Sequence, residues 1–275
     1  MSAEEQTQFL QQLAEDLNSK NIQLPSFPDV VINIRTALED PTCTAERLAD
    51  VVRTDAVLVA RLLMAANSAF YNRAGIEIVD LNLAISRLGF EVVRNTAVTL
   101  AVEQIFNASQ HEDLRDSIKN IWTSSMSLAS MCCVIATRSA SVNADNAFLC
   151  GLLHEVGKLY ILTKARDYPN MMGDQESLAV VLDQWYASVG KSIVEAWGFS
   201  DEIASTLEID ENLSTDQNAS ATLVDVIYTA QAVLEQEEAP NFDESSISIA
   251  NKVKVDPDTL PAIRDAYKLH LQSLG

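Results

Sequence analysis

Leu152-Leu153-His154-Glu155-Val156-Gly157-Lys158 is the segment of this 275-residue chain whose residue types and spacing could do metal or phosphate chemistry. A neutral imidazole followed at once by a carboxylate can offer two ligands to one divalent ion. Gly157 would let another backbone or a phosphate come close, and Lys158 could add a point charge for that phosphate. The same residues also fit a plainer role. A histidine packed at a helix crossing, with Glu155 and Lys158 paired at i, i+3, needs no ligand at all.

A hydrolytic metal site requires several protein ligands and an open position for water. The chain has three histidines. His111 falls in a polar turn and His270 in the terminal helix, and neither has ligand spacing to His154. No G-x-S-x-G elbow, Walker loop or G-x-G-x-x-G is present. The cysteines offer no alternative: Cys43, Cys132, Cys133 and Cys150 have no C-x-x-C spacing, and the last three sit in apolar helical sequence.

The elements that must position this segment read as helices. Only 8 Gly and 7 Pro are spread along the chain, leaving little room for hairpins. An opening helix spans Glu4 to about Lys20, with Phe9, Leu10, Leu13 and Leu17 on one face. A second runs from Asp29 to Glu39, where Asp40-Pro41 stops it. Thr44 and Asp55 can cap the next two, the second reaching Asn67-Ser68. Asn67, Ser68 and Arg73 read first as cap and turn residues. Further helices are expected at Leu81–Leu88, broken by Gly89, then Phe90–Phe106, Asp113–Ser139, Asn146–Arg166 and Gln175–Trp197. Ser200-Asp201-Glu202 starts another. The tail reads as a helix over Asp216–Glu238, an acidic link through Pro240, and a last helix from Pro257. The expected organisation is an N-terminal helix (1–22), a helical domain (23–212) and C-terminal helices packed on that domain (213–275).

Charge limits the partners. The formal net charge is −20, which repels nucleic-acid phosphates and anionic lipid. The excess is concentrated between Asp174 and Asn251, with 16 acidic residues against the single basic Lys191. That stretch is either a solvated face or a surface that meets a basic partner. The opening residues are acidic and polar, unlike a signal peptide. The uncharged, mostly apolar run from Ile121 to Thr137 is 17 residues and carries several hydroxyls, too short and polar to span a bilayer. A cytoplasmic protein with no nucleic-acid or membrane partner is expected.

Ordered blocks along the chain resemble the HDOD domains, relatives of the HD phosphohydrolases that generally lack the full metal site. They begin with Leu24-Pro25-x-x-Pro28, Asp40-Pro41, Leu48-Ala49 and Asp55, then Leu62-Leu63-x-x-Ala66-Asn67-Ser68-Ala69-x-Tyr71. They continue through Ala84-Ile85-x-x-Leu88-Gly89, Trp122, Gly151-Leu152-Leu153-His154-x-x-Gly157-Lys158, Val189-Gly190 and Trp197-Gly198. Counted together they cover about residues 24 to 231. The resemblance implies an all-α fold, an HD-domain-like helical bundle with an extra N-terminal helical subdomain. It also exposes departures. The HD hydrolases carry His-Asp where this chain has His154-Glu155. Their upstream histidine falls on Ser124, and their downstream aspartate falls near Thr229-Ala230-Gln231, so Gln231 replaces it. Tyr186 stands where many HDOD relatives carry a histidine.

What the resemblance implies about function is a non-catalytic regulatory module of bacterial signal transduction. With no second domain read in this sequence, it would act in trans through a signalling protein partner or a bound small molecule. The acidic stretch is one candidate contact. The other is the former catalytic cleft, where His154, Glu155, Lys158, Ser124 and Gln231 could hold a nucleotide or phosphate. No catalytic residue, cofactor or metal is expected. The competing reading is a metal-dependent phosphohydrolase in which His154 and Glu155 ligate a divalent metal.

Overall fold

The computed structural model describes residues 3–18, 28–108, 114–208, 213–216, 219–235 and 244–274. Among these, every regular element is helical. The α-helices are α1 (Ala3–Asn18), α2 (Asp29–Leu38), α3 (Ala45–Val52), α4 (Ala56–Asn67), α5 (Leu81–Leu88) and α6 (Phe90–Ala108). They continue with α7 (Arg115–Ala136), α8 (Ala144–Leu153), α9 (Val156–Ala165), α10 (Pro169–Gly173) and α11 (Gln175–Ala196). The last are α12 (Asp201–Ala204), α13 (Leu223–Glu235), α14 (Glu244–Lys252) and α15 (Leu260–Ser273).

Short polar side chains fix the helix starts, as their placement in the sequence predicts. Thr44 accepts from the backbone N–H of Arg47, and Asp55 accepts from Val57 and Leu58. Each satisfies a donor that the first helical turn leaves open. Ser200 does the same for α12, though that helix is a single turn followed by a 3-10 turn. Asn67 holds the link after α4: its amide donates to the Ile78 carbonyl at 2.7 Å and accepts from the Ile78 N–H at 2.8 Å. Asn67 and Ser68 are thus local structure, since Ser68 Oγ donates to the Ala65 carbonyl.

The helix expected over Asn146–Arg166 is two helices. It breaks at His154-Glu155, where Glu155 takes φ −104° and ψ 10° and ends α8 before α9 begins. The expected helix over Asp216–Glu238 starts only at Leu223. Thr222 and Asp225 bond reciprocally, with the Thr222 N–H donating to Asp225 Oδ2 and Thr222 Oγ accepting from the Asp225 N–H, a capping box that sets the start there. A further helix, α14, occupies part of the stretch read as a polar link; Pro240 and His111 lie outside the described residues, as do Leu24 and Pro25.

The core is organised on α7, whose residues Leu128 to Ala136 are all buried. Helices α6, α8, α9, α13 and α15 contact it. A Cβ on Gly151 of α8 would stand 2.6 Å from the Ala129 backbone, so glycine is what allows α8 to lie this close to α7. Helices α2 to α6 pack among themselves and meet this core chiefly through α6. α1 is held from the other side: Phe9 is edge-on to Tyr168, and buried Asp16 accepts from the Tyr160 hydroxyl at 2.6 Å. Cys132, Cys133 and Cys150 are buried, and burial pushes the thiols of Cys133 and Cys150 up to about 12, so they behave as small hydrophobes.

Candidate functional site

The break between α8 and α9 presents His154 and Glu155 to one cleft. Glu155, freed from regular helix geometry, pairs with Lys158 one turn on, while its Oε2 is buried without a hydrogen-bond partner. Gly157 lies on the far side of that turn. A Cβ there would fall 2.0 Å from the Tyr186 carbonyl oxygen and 2.7 Å from the Gly190 nitrogen. The close approach that this glycine permits is therefore made by the backbone of α11, and no room is left for a phosphate. That contact brings Tyr186 over the cleft, its ring 5.9 Å from the His154 ring and 4.9 Å from Lys158 Nζ.

His154 is 4% exposed. Gln231 of α13 lies against it, with Nε2 2.9 Å from His154 Nε2. An amide N–H can only donate, so the ring nitrogen accepts, and the ring proton sits on Nδ1, which is buried without a partner. Burial lowers the imidazole's affinity for a second proton; Glu155 opposes this and Lys158 reinforces it. The ring is accordingly a neutral group at physiological pH.

All five residues singled out in the sequence (Ser124, His154, Glu155, Lys158 and Gln231) line this cleft, whose volume is about 500 Å³. They come from α7, the α8–α9 junction, α9 and α13. Ser127, Leu128, Leu234 and Glu235 line it too and were not anticipated. Their signal was available, since each lies three or four residues beyond Ser124 or Gln231 on the same helix face. The remaining described histidine is elsewhere: His270 is buried with Nδ1 2.8 Å from Ser130 Oγ. Among the described residues no three His, Cys, Asp or Glu side chains gather as a metal site.

The HDOD domain model matches residues 24–213, well over half of the chain. The chain belongs to the HDOD family. Solved structures share the HDOD chain's fold. A candidate metal-dependent phosphohydrolase from Shewanella amazonensis SB2B superposes with a TM-score of 0.80, at 24% identity, over 99% of this chain and 100% of that one. An HDOD domain protein of unknown function from Geobacter sulfurreducens gives 0.62 at 22% identity over 94% and 96%. A candidate signal transduction protein from Marinobacter aquaeolei VT8 gives 0.67 at 19% over 98% of this chain and 64% of that one. In sequence, a Treponema pallidum (strain Nichols) protein described as uncharacterized is 22% identical over 215 residues, 73% of this chain; the HDOD chain spans 40% of that relative's length. These likenesses establish an HD-domain-like, all-α architecture. No helix among the described residues is long and apolar enough to cross a membrane.

Proposed function

We propose that this HDOD chain is a signal-transduction module that works by binding, with the His154–Gln231 cleft as its ligand pocket and no hydrolytic metal. The observation that carries this reading is the Gln231 amide seated on His154 Nε2. A metal would need that lone pair, and the amide already engages it. The other groups at hand are hydroxyls at Ser124 and Ser127, a Glu155 carboxylate tied through Oε1 to Lys158, and the exposed Glu235. One engaged imidazole beside a lysine cation, with the Glu155 and Glu235 carboxylates not gathering with it into a set of three, does not fit a divalent ion that needs three protein ligands. The metal motif is degenerate, and no step of chemistry follows from it.

The same groups suit a polar ligand. Lys158 supplies a cation, Ser124 and Ser127 supply hydroxyls, and Tyr186 forms an aromatic wall in a cleft of the size small ligands occupy. A nucleotide or other phosphate-bearing effector matches that lining. The names of the relatives point both ways, one a signal transduction protein and another a metal-dependent phosphohydrolase, and at these identities fold does not carry the site.

Thermal-shift and hydrolysis assays on the purified protein test the reading. Cyclic-di-GMP and inorganic phosphate are titrated for binding, and Mn²⁺ and Zn²⁺ with bis(p-nitrophenyl) phosphate for turnover. The expected result is a saturable rise in Tm with a phosphate-bearing probe, lost in Lys158→Ala, and no metal-dependent turnover. Stoichiometric metal with hydrolysis abolished by His154→Ala would overturn it in favour of the phosphohydrolase.

A further inference from the structure

A second groove, of about 400 Å³, opens where α2 and α6 meet the start of α8 and the α11–α12 link. Its walls are apolar and aromatic: Val31, Val98 and Ile203 with Trp197 and Phe199. Two guanidinium groups border it, Arg35 and Arg94. They are held differently. Arg94 pairs with Glu91 and reaches Asn146 at 3.2 Å, yet its Nε is buried without a hydrogen-bond partner.

Arg35 is exposed and forms no ion pair among the described residues. One of its nitrogens, Nη1, donates to the Trp197 carbonyl at 2.9 Å. Gly198 makes this seat possible. It has φ +75°, and a Cβ there would lie 2.7 Å from Nη1. The Arg35 fork is thus anchored by one bond at the groove's edge, with its other donors uncommitted.

We infer that this groove binds a small carboxylic acid with an apolar or aromatic body. The planar guanidinium fork matches a carboxylate in a two-point bond. The apolar and aromatic walls take the body. The charge balance selects a monoanion: Glu202 borders the groove, and Glu91 already neutralises Arg94, so a second negative charge would meet carboxylates. This site is separate from the His154 cleft; α8 runs between them, with Asn146 at one end and His154 just past the other. It stands or falls independently of the binding reading for that cleft.

Isothermal titration of the full chain with 4-phenylbutyrate tests it, against the neutral 4-phenylbutanol and the dianionic phenyl phosphate. Saturable binding of phenylbutyrate is expected, weaker by about ten-fold or more for each comparison compound, the scale of one charge-assisted bond. Arg35→Ala should lose a similar factor and Arg35→Lys less. Glu202→Gln should strengthen phenylbutyrate binding and admit phenyl phosphate, a gain that misfolding cannot produce. Absence of saturable binding at millimolar phenylbutyrate, equal binding of phenylbutanol, or indifference to both Arg35→Ala and Glu202→Gln would overturn the proposal.

Discussion

Gln231 Nε2 stands 2.9 Å from His154 Nε2, across 77 residues of sequence, and this contact fixes the state of the imidazole. It makes the ring nitrogen an acceptor, and burial keeps the ring neutral. Replacing Gln231 by Glu would set a carboxylate beside the ring, and an opposite charge favours the protonated form. The His154 titration, followed by nitrogen NMR, should then move to higher pH. Gln231→Ala should instead leave a buried ring nitrogen unpaired and cost about 1–3 kcal/mol in urea unfolding. An unmoved titration in Gln231→Glu would remove Gln231 from the site.

Gly157→Ala forces a methyl group to 2.0 Å from the Tyr186 carbonyl oxygen. Backbone on both sides has no rotamer with which to yield, so α9 and α11 must separate. Overpacking of this kind costs about 1–3 kcal/mol or more. Because Tyr186 rides on α11, the variant should also weaken any phosphate-probe binding in the His154 cleft. Stability equal to the parent in chemical denaturation would contradict the contact.

Lys252 and Asp225 form an ion pair at 2.6 Å with side chains 2% and 3% exposed, tying α14 to α13. Asp225 therefore does not belong to the solvated acidic face that its place in the sequence suggested. Lys252→Met strands a buried carboxylate and should cost about 3–5 kcal/mol. In a double-mutant cycle with Asp225→Asn the two losses should fall well short of additive, since the first change already removes what the second would. Strict additivity would mean the two groups do not meet.

His270 gives the pH dependence. Burial lowers its pKa to about 4, below the unfolded value of about 6.5. The unfolded chain therefore binds a proton more readily between those limits. The stability is fully present above about pH 6.5 and is lost as pH falls toward 4, by on the order of 3 kcal/mol. His154 shifts in the same sense, so the test is the difference between the parent and His270→Gln. The parent's Tm should fall more steeply from pH 6.5 to 4, and parallel curves would exclude His270 as the source.

The sequence by itself determined most of the helices and their starts, because these depend on neighbours. Thr44 and Asp55 cap within three residues of themselves, and apolar spacing within one helix shows which face turns inward. It also carried the ordered blocks that mark the HDOD family, and the five residues that prove to share one cleft. Only the tertiary structure decided what those residues do to one another. The break at His154-Glu155 is invisible in helix-period apolar sequence; just past it α9 lies against the α11 backbone at Gly157, a contact between distant segments. The Asp225–Lys252 pair and the Arg35 seat at Gly198 are likewise contacts between distant segments. Local rules place side chains on helices; distance and burial between helices set their protonation, their partners and whether His154 is offered to a metal or to an amide.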